Sequence, residues 1–314
     1  LVSLRIDACS VCQLSCPGCP RTKGLTRKVV GGGFLRAADY AGLLKKNRGI
    51  REVEFSGYGE PFLNPELGEI FRISAENGVR ATIGSGSNLN CLEEKTAEAL
   101  VRFQVRELTV SIDGATEAIY RRYRVGGSLA AVLSNIKLIK RYKSKFRSKY
   151  PALKWQFIGF GHNEHEIPAA RRRAKTLGMD FCVKLNHDGK YSPVRNRRRF
   201  RTVSGLGAAD RDEYFRLHGK PYPPDVCGQL WYSPQISWNG GVMGCSSNHW
   251  LEFGGNAFTG KLEKSLNSPK MRYARRMLAG LERPRKDIPC SSCVHYSEIR
   301  KEGAWIRERG GIVL

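Results

Sequence analysis

Through residue 185 the chain alternates short apolar or β-branched runs with longer helical patterns, and this alternation constrains the fold more than any other feature. Such a rhythm is that of parallel strands joined by helical crossovers, the α/β class. Strands are expected at Leu4 to Ala8, Val53 to Phe55, Ala81 to Gly84, Leu108 to Ile112, Trp155 to Phe160 and Phe181 to Leu185. Helices fill the gaps. One is expected from Pro65 to Asn77, with Asn64 as N-cap and Pro65 at the first helical position. From His187 to Val226 the pattern dissolves into a polar, Arg-rich, Pro-punctuated stretch that reads as a bridge or substrate-contacting loop. A second unit starts near Cys227 with a hairpin signal: Pro234 to Trp238, a turn at Asn239-Gly240-Gly241, and a return through Val242 to Gly244. The expected division is 1–186, 187–226 and 227–314.

Directly after the first strand comes the run Cys12-Gln13-Leu14-Ser15-Cys16-Pro17-Gly18-Cys19. The C-x3-C-x2-C spacing lets one short loop wrap three irons of a cubane while the fourth iron stays open to bind a substrate. Four thiolates from Cys9, Cys12, Cys16 and Cys19 would also give a structural zinc loop as the bland alternative. The ten cysteines of the chain, with no export signal at its start, argue for metal or redox chemistry in a reducing compartment, with the cytoplasm as the expected location.

Further motifs follow in strand order. Ser56-Gly57-Tyr58-Gly59-Glu60-Pro61 follows the second strand, and Gly84-Ser85-Gly86-Ser87-Asn88 lies at the third. Ser111-Ile112-Asp113-Gly114 ends the fourth, and Tyr123-Arg124-Val125-Gly126-Gly127 comes next. Together with the cysteine run, this order resembles the radical S-adenosylmethionine (radical SAM) superfamily. The resemblance implies a partial (β/α)6 TIM-like barrel, with S-adenosylmethionine and a [4Fe-4S] cluster on Cys12, Cys16 and Cys19. It further implies Gly57, Gly59 and Glu60 around the cofactor's ammonium group, Ser87 and Asn88 near its nucleoside, and Ser111 and Arg124 at its ribose and carboxylate. The chain departs from its relatives at Gly18, where they often place an aromatic residue beside the adenine.

Cys227, Cys245, Cys290 and Cys293 form C-x17-C-x44-C-x2-C. This resembles the shortened twitch form of the SPASM auxiliary domain and implies a second, fully ligated [4Fe-4S] cluster in a small C-terminal domain. Zinc would again suit four thiolates. On this resemblance 1–186 is the barrel, 187–226 the bridge and 227–314 the twitch-like domain. The implied activity is like that of the dehydrogenases that oxidise 2-deoxy-scyllo-inosamine: two-electron oxidation of a carbohydrate-like or cyclitol alcohol to a ketone. A ribosomal-peptide maturase and an RNA-binding or RNA-modifying protein are the alternatives.

The formal charge of +24, densest from Arg195 to Arg201, favours anionic partners such as a nucleotide-linked or phosphorylated sugar. Nucleic acid is compatible with that charge, although no RRM or KH signature accompanies it. The radical chemistry implies an electron donor of flavodoxin or ferredoxin type. No apolar run approaches the length of a membrane span. His162, His165 and Glu166, after the fifth strand, are candidates for proton transfer.

Overall fold

The computed structural model describes residues 3–306, 308–309 and 312–313. Residues 1–2, 307, 310–311 and 314, which include the ends of the first and last expected segments, lie outside the described residues. Six parallel strands follow in order: β1 (Ser3–Ile6), β2 (Glu52–Glu54), β3 (Arg80–Ser87), β4 (Glu107–Ser111), β5 (Ala152–Gly159) and β6 (Asp180–Leu185). Each lies within a few residues of its expected position. Between them run α1 (Ala37–Lys46), α2 (Leu67–Glu76), α3 (Glu94–Arg102), α4 (Glu117–Tyr123), α5 (Leu129–Lys145) and α6 (Ile167–Thr176).

The strands alternate because their two faces meet different surroundings. On β1 and β5 the side chains of Leu4, Ile6, Leu153, Trp155 and Phe157 are buried in the apolar core. The intervening Arg5, Lys154 and Gln156 stand on the opposite face, where Arg5 reaches Ser85, Lys154 pairs with Glu107 at 3.0 Å and Gln156 reaches Ser111 at 3.2 Å. Helix α5 shows the matching helical pattern. It buries Leu129, Val132, Ile136, Ile139 and Tyr142 at three- and four-residue spacing, and the Ser128 hydroxyl accepts from the Ala131 N–H at its start.

The sheet is eight-stranded, open and mostly parallel, in the order β6-β5-β4-β3-β2-β1-β7-β8, as a partial barrel requires. Its last two strands are β7 (Gln235–Ile236) and β8 (Val242–Gly244), the expected hairpin. Strand β7 pairs in parallel with β1, so the chain from Cys227 onward adds to the edge of the barrel sheet.

Two expectations change. Helix α2 starts at Leu67 with Glu66 at its N-cap, because Asn64 is occupied elsewhere: its amide donates to the carbonyls of Ala8 (2.8 Å) and Leu35 (2.9 Å), and its oxygen accepts from the Glu66 N–H. The stretch 187–226 holds two helices, α7 (Arg197–Ser204) and α8 (Arg211–His218). Asn196 and Asp210 cap their N-termini, and Gly205 and Gly219 end them at φ of 74° and 63°, the left-handed region where glycine has no Cβ to clash. Within this segment Arg197 pairs with Asp210 and Glu213, and Arg201 with Glu213, so part of the positive charge is neutralised internally.

Beyond α9 (Gln229–Tyr232), the C-terminal part carries α10 (Leu262–Leu266), α11 (Pro269–Leu278) and α12 (Val294–Glu302), then the short antiparallel pair β9 (Glu308–Arg309) and β10 (Ile312–Val313). No helix of the described residues is long and apolar enough to cross a membrane.

Candidate active site

In a parallel α/β sheet the loops after the strands meet at the carboxyl ends of the strands, where ligands bind. A cavity of about 220 Å³ lies there. Cys12, Cys16, Cys19, Gly57, Gly59, Glu60, Ser87, Asn88, Ser111 and Arg124 all line it.

The glycines are needed for close approach. A Cβ on Gly59 would sit 2.4 Å from the Val11 carbonyl oxygen and 2.5 Å from that of Cys9, and one on Gly57 would overlap the Asp7 carboxyl. The turn after β2 therefore seats directly on the cysteine loop, and the Glu60 N–H donates to Val11 O at 2.8 Å. The Glu60 carboxylate accepts from Ser87 Oγ and from the Asn88 N–H, both at 2.6 Å, which ties β2 to the end of β3. Burial pushes Glu60 up to about 6, against these stabilising bonds. At Gly86, with φ of 130°, a Cβ would lie 2.6 Å from Ser111 Oγ.

The cysteine loop is braced from several sides. Asn88 Nδ2 lies 3.5 Å from Cys12 Sγ, and Arg124 Nη1 lies 3.8 Å from Cys16 Sγ. Arg124 is itself fixed by Asp113, Nε to Oδ2 at 2.6 Å, with Asp113 fully buried. The Asp113 Oδ1 also accepts from the Ile158 N–H at 2.7 Å. Beside Gly18 a Cβ would meet Tyr123 OH at 3.0 Å and His187 Nε2 at 3.2 Å, so two ring side chains occupy the space next to that glycine. Tyr123, His187, Gln156 and Tyr58 also line the cavity, beyond the cofactor residues that the motifs imply. The buried Gln156 keeps its Oε1 without a hydrogen-bond partner. Its alternation on β5 with the core residues Trp155 and Phe157 was the available signal.

His162, His165 and Glu166 do not line this cavity. Glu166 accepts from Ala115 N (2.6 Å) and Thr116 Oγ1 (2.7 Å), which caps the start of α4. His162 Nδ1 lies 2.8 Å from Ser192 Oγ, and burial pushes its pKa down to about 4, so the ring is neutral at pH 7. His165 is exposed.

The second cysteine set comes from three separate segments: Cys227 in the 3₁₀ turn Val226–Gly228, Cys245 just after β8, and Cys290 and Cys293 around the 3₁₀ turn Pro289–Ser292. Cys227 interacts electrostatically with the other three, and all ten cysteines are free thiols. Among the described residues no three His, Cys, Asp or Glu side chains converge on one point closely enough for a single metal ion. Burial pushes Cys12 and Cys245 up to about 11, and Cys227 and Cys290 far above their ordinary value. Buried thiols of this kind ionise only against a compensating positive charge, which a bound metal cluster supplies.

Residues 8–171 match the radical SAM superfamily. The chain belongs to that family. Membership implies S-adenosylmethionine and a [4Fe-4S] cluster as cofactors. The three-cysteine loop, which lines the cavity with Cys16 buried and Cys12 and Cys19 partly exposed, and the glycine cradle fit them, with Cys12, Cys16 and Cys19 as the thiolate set. Among relatives, a probable GTP 3',8-cyclase of Methanococcus maripaludis is 26% identical over 186 residues, 58% of this chain and 55% of that protein. The chain thus spans about half the length of that relative. Two solved structures share the fold along nearly the whole chain. Streptococcus suis SuiB bound to its precursor peptide SuiA gives a TM-score of 0.65 at 15% identity, covering 95% of this chain and 70% of SuiB. BtrN in complex with AdoMet and 2-DOIA gives 0.54 at 17% identity, covering 100% of this chain and 99% of BtrN.

Proposed function

We propose that this radical SAM protein is an oxidoreductase of a carbohydrate-like or cyclitol alcohol, with Cys227, Cys245, Cys290 and Cys293 holding an auxiliary [4Fe-4S] cluster. The observation that carries the reading is the approach of these four partly buried thiols from three distant segments, beside the edge of the same sheet whose strand ends form the cofactor cavity. The full-length correspondence with BtrN, a structure that contains AdoMet and 2-DOIA, supports it. When bound, the reduced N-terminal cluster and S-adenosylmethionine supply hydrogen-atom abstraction by a 5'-deoxyadenosyl radical, and the C-terminal cluster supplies an acceptor for the second electron.

The chain's own residues then have separable tasks. Glu60, held by Ser87 and Asn88, accepts from the cofactor's ammonium group. Arg124, held by Asp113, stands by Cys16 with its remaining N–H groups available to the carboxylate. Ser111 and Gln156 face the ribose. Tyr123 and His187, which meet beside Gly18, supply the rings beside the adenine that the cysteine loop itself lacks. The walls exclude water and hold the target carbon against the radical. The segments 1–186, 187–226 and 227–314 are the barrel, bridge and twitch-like domain in this reading. The net charge of +24 suits a phosphorylated or nucleotide-linked substrate and an acidic flavodoxin or ferredoxin as reductant.

The test is deuterium transfer. Ring-deuterated aminocyclitols and sugar phosphates are incubated anaerobically with the reconstituted protein, S-adenosylmethionine and reductant. Label in 5'-deoxyadenosine together with a ketone product supports the reading. A second reading, peptide maturation, is favoured by the correspondence with peptide-bound SuiB. Label arriving only from deuterated peptides would replace the first reading with the second.

A further inference from the structure

The amino ends of β3 to β6, at the other end of the sheet from the cofactor cavity, carry positive charge that the proposed reaction does not use. Between Lys137 and Lys149 seven of thirteen residues are Lys or Arg and none is Asp or Glu. Two hollows open on this face. One, of about 360 Å³, is lined by Lys140, Lys143, Ser144 and Arg147, and the other, of about 320 Å³, by Arg80, Arg102, Gln104 and Arg106. No carboxylate lines either hollow, and of these cations Arg80 alone, among the described residues, has a carboxylate partner, Glu52 at 2.9 Å. In the Arg195 to Arg201 cluster, by contrast, Arg197 and Arg201 are paired internally. Arg106 from one hollow and Lys149, next to Ser148 of the other, meet over the Tyr150 ring at 4.3 and 5.3 Å from its centroid, so the two adjoin.

The turns that build the hollows hold polar side chains at a conformational cost. After α2 and α6 the chain leaves the helix through Gly78 and Gly178, both at φ of 68°. After α3 and α5 the left-handed positions are Gln104 at φ of 53° and Arg147 at φ of 49°, where a glycine would be unstrained and a side chain is not. Those two side chains line the hollows. We propose that this face binds single-stranded RNA, with backbone phosphates seated in the two cationic hollows. Phosphate contacts from Lys and Arg supply the affinity. Ser144 and the Gln104 amide offer acceptors as well as donors to 2'-hydroxyls, which a DNA strand lacks. Phe146, 36% exposed and stacked on Tyr142 with centroids 6.2 Å apart, offers a ring to an unpaired base. The half-buried Lys143 and Arg106 stand where a flexible strand reaches and the broad surface of an acidic protein or anionic bilayer does not. RNA held at the amino ends of the strands leaves the cofactor cavity at their carboxyl ends open.

The experiment is fluorescence anisotropy of a labelled mixed-sequence RNA of about 20 nucleotides, titrated with the reconstituted full chain at several salt concentrations. Wild type is compared with K140Q/R147Q/K149Q, with R102Q/R106Q, with the charge-keeping K140R/K145R/K149R, and with K190Q/R198Q/R199Q, which removes three charges elsewhere; melting temperatures verify that each is folded. The expected result is a Kd raised about tenfold or more in both variants of the face, with the slope of log K against log salt reduced by about 0.7 for each cation removed. The charge-keeping variant and the K190Q/R198Q/R199Q protein stay within about twofold of wild type. Equal weakening in K190Q/R198Q/R199Q, or no binding to wild type at ~50 mM salt, overturns the proposal. So does displacement of the RNA by polyglutamate, by phosphatidylserine vesicles or by DNA of the same sequence as readily as by unlabelled RNA, which would assign the face to an acidic protein, a membrane surface or nucleic acid of either kind.

Discussion

The two cysteine sets of this molecule are built in opposite ways. Cys12, Cys16 and Cys19 lie within one eight-residue loop, and the rest of the site comes to them: Glu60 from the end of β2, Asn88 from β3, Asp113 and Arg124 from either side of α4. Cys227, Cys245, Cys290 and Cys293 are spread over 67 residues and come from three segments, near the hairpin β7–β8 and the start of α12, with Cys227 interacting electrostatically with the other three. A local loop keeps its shape without metal and can leave one iron coordination position for a substrate. A set that closes long loops gains stability from metal and exposes no such position. In the proposed reading, this difference gives chemistry to the first and structure with electron transfer to the second.

The largest expected effect separates them outright. Replacing Cys12, Cys16 and Cys19 by alanine abolishes 5'-deoxyadenosine formation, by more than about a thousandfold, while the C-terminal iron remains. Alanine at the four C-terminal positions keeps 5'-deoxyadenosine formation but uncouples it from product, and the melting temperature falls by several degrees, on the order of the 2–4 kcal/mol expected when a cross-link over long loops is lost. Product analysis and thermal unfolding of both variants check this contrast. Equal loss of stability in the two would break it.

Next in size is the buried brace of the first set. Asp113→Ala leaves Arg124, 12% exposed, without its partner and costs about 3–5 kcal/mol of unfolding free energy by denaturant titration. Glu60→Gln has a smaller effect, weakening S-adenosylmethionine binding by about tenfold, or ~1.4 kcal/mol. Because Glu60 titrates at about 6, wild-type binding weakens as pH falls through that value, whereas the Gln variant shows a flat profile in calorimetry between pH 5 and 8.

A further effect concerns the join between the two regions. Asp7 is fully buried beside Gln235 of β7, its Oδ2 has no partner, and burial pushes it up to about 8 from an ordinary 3.8. The folded chain therefore holds this proton more tightly than the unfolded one. The contribution to stability is fully present below about pH 4 and is lost as pH rises through 8. Asp7→Asn removes that pH dependence and changes stability little at low pH, which unfolding at pH 5 and 9 measures.

Much of the barrel was legible because its information is local. Short apolar or β-branched runs between helical patterns placed all six strands to within a few residues, and the carboxyl-end rule gathered the expected cofactor residues into one cavity. What escaped depends on long-range contacts or on weak punctuation. Nothing in Gln235 and Ile236 announces that they pair with Arg5 and Ile6. Tyr123 and His187 meet at Gly18 from different parts of the chain, so the ring wall could not be read from either. Helices α7 and α8 did carry a signal, a capping Asn196 or Asp210 and a closing Gly205 or Gly219, which the density of arginines obscured. Asn64 has the composition of an N-cap, yet it serves the backbone at the end of β1. Of the proton-transfer residues expected after β5, Glu166 caps α4, His162 contacts Ser192 and His165 is exposed.

The central claim is that one chain carries an open cluster in the N-terminal loop and a closed one at the C-terminal set. Anaerobic reconstitution with iron and sulfide counting, on wild type and on the Cys12, Cys16, Cys19 triple-alanine variant, tests it most directly when coupled to a 5'-deoxyadenosine assay. The account predicts about eight irons in wild type, about four in the variant, and 5'-deoxyadenosine from wild type alone. Zinc in place of iron at the C-terminal cysteines, or about four irons in wild type and none in the variant, would contradict it.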